Sequence, residues 1–255
     1  LVPKRGRVMY LDYETSQSVI ESRLRKLARS LGFSLDDPMV LYYRGTQAMV
    51  RDAQSIRANI LNHQIDHLVI DSASLAVGGK LEDTEAVGAF FAALRAIGIS
   101  STLISHVAKH TNRSEATPFG STYWRNFTRS EWQVIGSQAE GSPNLSMMVR
   151  HTKVNDEARH RRLGFTFSFS EDAVRVVPAD PDTLPGLEKQ APLRKQIADA
   201  IIAQGGTATI KEIAQYLELA ATTVETGIRR NSRMFQVKGK VGKSNLYGAS
   251  SAQEE

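Results

Sequence analysis

Cysteine is absent from the 255 residues of this chain, and long apolar runs are absent as well. Without thiols there can be no disulfide framework, no thiolate metal site and no cysteine nucleophile, and such a chain is typical of the intracellular space. No segment reaches the roughly 18 consecutive apolar residues that a membrane-spanning helix needs, and the first residues lack the apolar stretch of a signal peptide. These absences favour a cytoplasmic protein with no membrane partner.

Charge is distributed unevenly along the sequence. Residues 1–188 carry 22 basic and 21 acidic side chains, whereas residues 189–255 carry 10 and 6. Most of the net charge of +5 therefore belongs to the last quarter of the chain. A local excess of basic residues is what binding to a polyanion requires, and a near-neutral first part is typical of an enzyme core. A basic surface that is merely solvated is the alternative.

Strand and helix patterns alternate through the first part of the sequence, which predicts an α/β fold with a parallel sheet. The predicted strands are 7–12, 40–43, 67–71 and 99–105, and the predicted helices are 17–31, 46–63 and 82–97. Gly32 and Gly98 are expected to end the first and third helices. Three later apolar runs, 132–135, 145–151 and 164–169, predict strands of an antiparallel edge.

A change of composition follows these strands. Residues 178–192 contain four prolines, which predicts a linker between a core of residues 1–177 and a C-terminal domain of residues 193–249, with a tail of residues 250–255. Predicted helices at 193–203, 210–217 and 222–230, and a hairpin formed by 235–237 and 245–247, occur in the order of a winged helix-turn-helix. Thr209 and Glu212 have the spacing of a capping box.

Winged helices place their third helix in a DNA groove and their hairpin against the DNA backbone. The residues predicted to contact DNA are Thr222, Thr223, Arg229, Arg230, Arg233, Lys238, Lys240 and Lys243. Modules of this kind also serve as protein-interaction domains. The basic hairpin favours nucleic acid over that alternative.

Two predicted strands of the first part lead into acidic residues. Glu14 follows the first strand, and Asp71 ends the third. Because ligands of open parallel sheets bind beyond the carboxyl ends of the strands, both acids are expected to face one crevice. One carboxylate can hold Mg²⁺ through water while the other orients an attacking water, as in phosphoryl transfer. The alternative is an acid that only caps the following turn.

Several motifs occur in one order along the first part of the chain. They are residues 8–14, a helix with Arg23 and Leu24, residues 67–74, 103–109 and 119–122, then Arg125, Asn126 and Arg129, and residues 149–155. This order resembles the RecA-superfamily ATPase core of RepA-like hexameric replicative helicases of plasmids and phages. The resemblance covers about residues 7–177. It implies a RecA-like P-loop NTPase core, ATP and Mg²⁺ as cofactors, DNA as a partner, and self-association into a ring, as a hexamer.

The resemblance also implies roles for single residues. Glu14 matches the catalytic glutamate that polarises the attacking water, and Asp71 matches the Walker B aspartate that holds Mg²⁺, with Ser72 beside it at the nucleotide. His106 matches a sensor of the γ-phosphate, although Ser105 stands where the family usually has a further histidine. A histidine that only satisfies the end of its strand is the alternative.

Ring ATPases bind nucleotide between subunits, where a cation from the neighbour stabilises the transition state. Lys153 resembles the family's cation on the last core strand, but Asn155 stands where related helicases often have a second basic residue. Arg125 and Arg129 are the other candidates. For each of them, a solvated or salt-bridged surface position is the alternative.

One motif of the family is missing. The loop G-x-x-x-x-G-K-[ST], whose amides and lysine cradle the β- and γ-phosphates, does not occur in the sequence. Gly79 and Lys80 come near, but Ser74 replaces the first glycine, Leu81 replaces the hydroxyl residue, and the segment follows the third strand. We expect an N-terminally truncated piece that is inactive alone, since a degenerate relative should have lost Glu14 and Asp71 as well.

These observations favour an ATP-dependent, DNA-associated motor, either a helicase or a loader, of plasmid or phage replication. Its RecA-like core would hydrolyse Mg-ATP between subunits and would be joined to a DNA-binding winged helix. The alternative is a non-enzymatic DNA-binding initiator or transcriptional regulator that uses the core for oligomerisation. A phosphate loop encoded before this sequence would favour the motor, and its absence would favour the regulator.

Overall fold

The computed structural model describes residues 6–34, 39–107 and 122–249. Contacts divide the chain into two compact units. The first comprises Leu1–Gln133, Arg150–Arg161 and Phe167–Val176, and the second comprises Val134–Val149, Arg162–Thr166 and Val177–Glu255. Within the described ranges, no helix is long and apolar enough to cross a bilayer.

A parallel sheet organises the first unit. Its strands are β1 (Val8–Asp12), β2 (Val40–Arg44), β3 (His67–Asp71) and β4 (Ser100–Ile104), in the order β2-β1-β3-β4. Asp12 lies opposite both Arg44 and Asp71, and Asp71 lies opposite Ile104. All four strands therefore end at one level, so the residues that follow them share one edge of the sheet. The predicted α/β class, its parallel sheet and these four strands are confirmed.

Helices follow the first three strands. They are α1 (Gln17–Leu31), α2 (Met49–Asn62), the single turn α3 (Ala73–Ala76) and α4 (Thr84–Ile97). Gly32 and Gly98 adopt left-handed conformations with φ of 69° and 83°. Their backbone N–H groups donate to the carbonyls of Ala28 and Leu94, so these glycines end α1 and α4 as expected.

The core of this unit is built on the central strands. Alternate residues of β1 and β3 are fully buried, since a strand presents every second side chain to the same face. Trp124, on the short helix α5 (Tyr123–Phe127), is 3% exposed and packs its ring 5.5 Å from that of Phe90. The largest fully buried side chains of the cluster are Met9, Leu11, Met49, Ile56, Leu68, Ile70 and Phe90.

A second four-stranded sheet follows α5. Its strands are β5 (Ser130–Ser137), β6 (Asn144–Val154), β7 (Leu163–Phe169) and β8 (Val174–Ala179), in the order β5-β6-β7-β8. Thr152 contacts Glu131 and Arg150 contacts Gln133, a pairing that runs antiparallel. The three predicted strands lie inside longer ones. Strand β8 was not predicted, because its apolar run is short and contains Pro178.

The segment 178–192 was predicted as a linker from its prolines. Leu184 and Leu187 are each only 2% exposed, and they pack with Ile135 and Met148 in a small core of the second unit. A 3₁₀ turn, Glu188–Gln190, precedes the next helix. The segment is therefore packed within this unit, whereas the domain boundaries stay a prediction.

Helices and a small sheet complete the second unit. They are α6 (Leu193–Ala203), β9 (Ala208–Thr209), α7 (Ile210–Leu217), α8 (Ala221–Arg230), β10 (Phe235–Val241) and β11 (Ser244–Ala249), and the antiparallel sheet has the order β10-β11-β9. The capping box of Thr209 and Glu212 at the start of α7 is present. Ile197, Ile201, Ile213 and Val224 are fully buried together in the core of these helices.

Candidate functional site

Asp12 organises the turn that follows β1. Its side chain is fully buried. One carboxylate oxygen, Oδ1, accepts hydrogen bonds from the backbone N–H groups of Glu14 and Thr15, both at 2.9 Å. The other, Oδ2, accepts from the hydroxyl of Thr15 at 2.9 Å and from that of Tyr42 at 3.0 Å. These four bonds fix the backbone that carries Glu14.

The ionisation of Asp12 reflects two opposing influences. Burial is the largest single contribution, and it acts to raise the pKa of Asp12. Hydrogen bonds lower it, from the backbone of Thr15 and Glu14 and from the hydroxyls of Thr15 and Tyr42, and together they outweigh burial. The pKa of Asp12 therefore lies below its usual 3.8. The guanidinium of Arg44 lies 3.5 Å from the carboxylate. Sequence reasoning missed this residue, although an aspartate followed three positions later by threonine is a turn signal.

Glu14 and His106 meet across the end of a strand. Glu14 lies beyond β1 and His106 beyond β4, and β3 lies between those two strands. Nevertheless, His106 Nε2 is 3.1 Å from Glu14 Oε1. The Glu14 side chain is 31% exposed and the His106 side chain is 70% exposed. The pair therefore spans the edge of the sheet, and the Glu14 carboxylate is the less exposed of the two side chains.

The pKa of Glu14 lies below its usual value. The largest cause is a hydrogen bond from the Ser72 side chain; burial opposes it, and the hydrogen bond and charge of His106 lower the pKa further. Glu14 is consequently anionic at neutral pH. A fixed, anionic and partly exposed carboxylate can accept a hydrogen bond from a water molecule and orient it.

Asp71 and Ser72 lie at the same edge. Asp71 Oδ2 accepts a 2.5 Å hydrogen bond from the hydroxyl of Tyr10, and burial together with this bond raises the pKa of Tyr10. Ser72 is fully buried, and its hydroxyl lies 2.6 Å from that of Ser74. The peptide bond between Asp71 and Ser72 is cis. The hydrogen bonds to Tyr10 and Ser74 orient the side chains of Asp71 and Ser72, and Ser72 also hydrogen-bonds to Glu14.

The oxygens at this edge fit a magnesium ion. Mg²⁺ prefers carboxylate, hydroxyl and water oxygens and is usually held by one or two carboxylates. Asp71 and Glu14 have carboxylates of this kind and Tyr10 orients Asp71, whereas the buried hydroxyl of Ser72 is engaged by Glu14 and Ser74. Nucleotide phosphates need a different surface, a loop of backbone N–H groups with a lysine. The sequence contains no such loop, so these residues fit the metal and the attacking water but not the phosphate cradle.

Lys153, predicted to act on a neighbouring subunit, has partners in its own chain. Its ammonium donates to the carbonyl oxygens of Arg125 and Thr128, both at 2.5 Å. These carbonyls lie at the end of α5, where backbone oxygens lack helical partners. Lys153 therefore caps this helix in the structure.

The two candidate arginines also have acidic neighbours. Arg125 Nε lies 4.0 Å from Glu131, and Arg129 lies 3.3 Å from Asp156 with both side chains largely exposed. Among the contacts of the described residues, none joins these arginines or Lys153 to Glu14, Asp71 or His106. Residues 108–121, which include the end of the 103–109 motif and most of the 119–122 motif, lie outside the described residues.

The residues predicted to contact DNA share one property, which is exposure to solvent. Thr222, Thr223, Arg229, Arg230, Arg233, Lys238, Lys240 and Lys243 are all exposed. Thr222, Thr223 and Arg230 line an open groove between α8 and the start of α6, together with Arg194. The three lysines lie on the hairpin of β10 and β11 or its turn. Helix α8 and the hairpin therefore offer accessible polar and basic groups.

The comparisons with known proteins bear on the first unit. Residues 1–112 match a family model described as an AAA domain. The matched part contains β1 to β4 and therefore Glu14, Asp71, Ser72 and His106. Arg125, Arg129, Lys153 and the C-terminal elements lie beyond it. No curated protein matches the chain. The match, which the parallel sheet fits, supports a nucleotide-binding function of the ATPase type for this part of the protein.

Proposed function

We propose that the protein is an ATP-hydrolysing motor or loader that acts on DNA, of the type used in plasmid or phage replication. The observation that carries the proposal is the contact of Glu14 with His106 and Ser72 beside Asp71. This cluster lies at the carboxyl edge of a parallel sheet, where ligands of such sheets bind, and within the residues that match an AAA domain.

Each residue of the cluster has a part in the proposed reaction. Asp71 would hold Mg²⁺ with Ser72 beside it at the nucleotide, and Glu14 would accept a hydrogen bond from the attacking water and align it. When bound, ATP would supply the phosphoryl group and Mg²⁺ would neutralise part of its charge. His106 holds one oxygen of Glu14, so a displacement of His106 at the end of β4 would also displace the water-orienting carboxylate.

The neighbouring subunit of a ring would supply a cation to the same site. The candidates remain Lys153, Arg125 and Arg129. They differ in the strength of the contacts that would have to break before each side chain could reach a neighbouring site. Arg129 pairs with Asp156 on the surface, with side chains 82% and 71% exposed, and such a pair contributes little free energy. Lys153 would have to leave two carbonyl oxygens. The assembly, a hexamer by the family resemblance, is part of this proposal.

The C-terminal elements would provide the contact with double-stranded DNA. Helices α6, α7 and α8 followed by the β10–β11 hairpin have the order of a winged helix-turn-helix. Thr222, Thr223, Arg229 and Arg230 on α8 would face the groove, while Arg233 and the three hairpin lysines would meet phosphates. The exposure of all these side chains and the local basic excess support this part of the proposal.

A second candidate function is supported by one observation, the absence of a G-x-x-x-x-G-K-[ST] loop from the sequence. In the motor, that loop would come from a part of the natural protein outside this sequence. In the second candidate, the protein is a DNA-binding initiator or regulator, and the sheet with its helices serves only for oligomerisation. The two differ in whether ATP is hydrolysed.

The test is a substitution at the water-orienting residue in the natural protein that carries this sequence. Glu14→Gln keeps the size of the side chain and removes its charge. We expect nucleotide affinity to stay close to that of the wild type while turnover falls by about 10²- to 10⁴-fold. Glu21→Gln is the control, because Glu21 makes an exposed i, i+4 pair with Arg25. Turnover of Glu14→Gln near the wild-type rate would refute the proposed role.

A further inference from the structure

Three aromatic rings of the first unit lie nearly parallel to one another. Trp132 of β5 stacks on His151 of β6, with ring centres 4.1 Å apart and an angle of 1° between the planes. His160, from the segment between β6 and β7, lies 5.6 Å from Trp132 at 18° and 5.3 Å from His151 at 19°. Rings in contact lie about 3.5 Å apart, so a three-layer column would separate its outer rings by about 7 Å. The cluster therefore has two layers.

The polar edges of these rings are satisfied within the cluster. The backbone N–H of His160 donates to His151 Nδ1 at 3.1 Å, so His151 Nε2 carries the proton and donates to the hydroxyl of Ser130 at 2.9 Å. Trp132 Nε1 donates to the same hydroxyl at 3.0 Å. His151 is only 4% exposed, whereas Trp132 is 37% exposed. What Trp132 presents to solvent is therefore apolar ring surface, held in a fixed orientation.

Two arginines flank this surface in the sequence. Arg159 and Arg161 precede and follow His160, and both are exposed. Within the described ranges, neither of them makes a hydrogen bond or an ion pair. The nearby acids are engaged, since Glu157 lies 3.4 Å from His160 and Asp156 pairs with Arg129. Two unpaired positive charges therefore adjoin His160 in the chain, one residue on either side of it.

We propose that Trp132, with His151 and His160 behind it and with Arg159 and Arg161 on either side of His160 in the chain, binds single-stranded nucleic acid. A base would stack on the exposed indole, and the arginines would meet the phosphates on either side. Aromatic side chains combined with basic groups are the recurrent means of holding single strands. A duplex cannot use such a surface, because its bases are already stacked on one another. The five residues are called the Trp132 platform below.

The inference rests on the proposed association with DNA, and it specifies where an unpaired strand is held. It depends neither on ATP hydrolysis nor on the C-terminal helices and hairpin. The rings, the hydrogen bonds and the arginines all belong to the first unit. Binding to the Trp132 platform can therefore be measured without nucleotide.

Tryptophan fluorescence provides a direct readout. The sequence contains two tryptophans, and Trp124 is 3% exposed in the core, so a stacked base quenches Trp132 selectively. Titration with oligothymidylate is expected to give saturable quenching. Phe33→Ala, which removes an aromatic side chain that is 68% exposed, is the control that should bind as the wild type does. Quenching that never saturates would contradict the inference.

Variants of the Trp132 platform separate stacking from charge. Trp132→Ala should weaken binding of a labelled oligothymidylate by about 5- to 150-fold, and Trp132→Phe should restore most of it. Arg159→Ala with Arg161→Ala changes exposed side chains only, so folding is preserved. The double variant should reduce the slope of the logarithm of the binding constant against the logarithm of salt concentration by about 1.4, because two phosphate contacts are lost.

The failure of this inference is distinguishable from the failure of the proposed function. Duplex DNA is titrated in parallel against the wild type and against Lys238→Ala with Lys240→Ala. If the duplex binds through those lysines while Trp132→Ala leaves single-strand affinity unchanged, the Trp132 platform is refuted and the association with DNA stands. If neither duplex nor single strand binds, both are refuted.

Discussion

Asp12→Asn is the substitution whose consequences the structure defines best. The new side chain has the same size, and its remaining oxygen can still accept from the amides of Glu14 and Thr15. The other oxygen becomes an NH₂ group. The hydroxyls of Thr15 and Tyr42 can turn to accept from it, but the guanidinium of Arg44, 3.5 Å away, has no acceptor to offer.

The magnitude follows from the bonds that change. Hydrogen bonds to a charged group contribute about 1.5–3 kcal/mol each, compared with about 1 kcal/mol for neutral ones. Two amide bonds become neutral and two hydroxyl bonds reverse, so we expect the free energy of unfolding to fall by about 2–3 kcal/mol. The ion pair with Arg44 adds little, because the Arg44 side chain is 43% exposed.

Urea unfolding followed by tryptophan fluorescence measures this change. Both tryptophans, Trp124 and Trp132, belong to the first unit, so the signal reports on the unit that contains Asp12. With a slope of about 1–3 kcal/mol per molar urea, the midpoint should fall by about 0.7–3 M. Asp172→Asn is the control. It breaks an exposed pair with Arg29 at 2.9 Å and should cost less than about 0.5 kcal/mol.

The pH dependence of the stability difference between wild type and Asp12→Asn provides a second check. Because the pKa of Asp12 is lowered in the folded protein, its charge stabilises the fold above the usual value of 3.8 and ceases to do so as pH falls through the lower folded value. The difference in the free energy of unfolding between wild type and Asp12→Asn should be constant at neutral pH and should become smaller below about pH 4. A midpoint equal to that of the wild type at neutral pH would refute the reasoning.

Two further substitutions concern the C-terminal elements. Thr209→Ala removes the capping box of α7 and should lower the free energy of unfolding of the second unit by about 1 kcal/mol, as measured by circular dichroism; an unchanged transition would contradict it. Lys238→Ala with Lys240→Ala should weaken duplex binding about equally for different sequences and reduce the salt slope by about 1.8, as measured by fluorescence anisotropy. A sequence-dependent loss would instead point to base contacts by these lysines.

Much of the first sheet was predictable from the sequence, because local patterns determine its strands and helices. Apolar runs of four to six residues and helical spacing located the elements, and Gly32 and Gly98 ended two helices where left-handed conformations were needed. Strand β8 and the buried Leu184 and Leu187 were not predicted. Their burial depends on residues distant in the sequence, while the surrounding prolines give the composition of a loop.

The acidic residues of the site could be predicted from the sequence, but the contacts between the residues of the site could not. Glu14 and Asp71 follow apolar strands, which is a local signal. The bond between Glu14 and His106 joins residues 92 positions apart, and it exists because β4 follows β3 in the sheet, an order that no local pattern specifies. The capping of α5 by Lys153 likewise depends on tertiary contacts.

The most direct test of the central claim is the rate of ATP hydrolysis by the natural protein with and without DNA. We expect turnover that DNA stimulates and that Glu14→Gln lowers by about 10²- to 10⁴-fold while DNA binding persists. Stimulation by duplex DNA should also weaken when Lys238 and Lys240 are replaced by alanine. DNA binding without any hydrolysis of ATP would contradict the motor and favour the regulator.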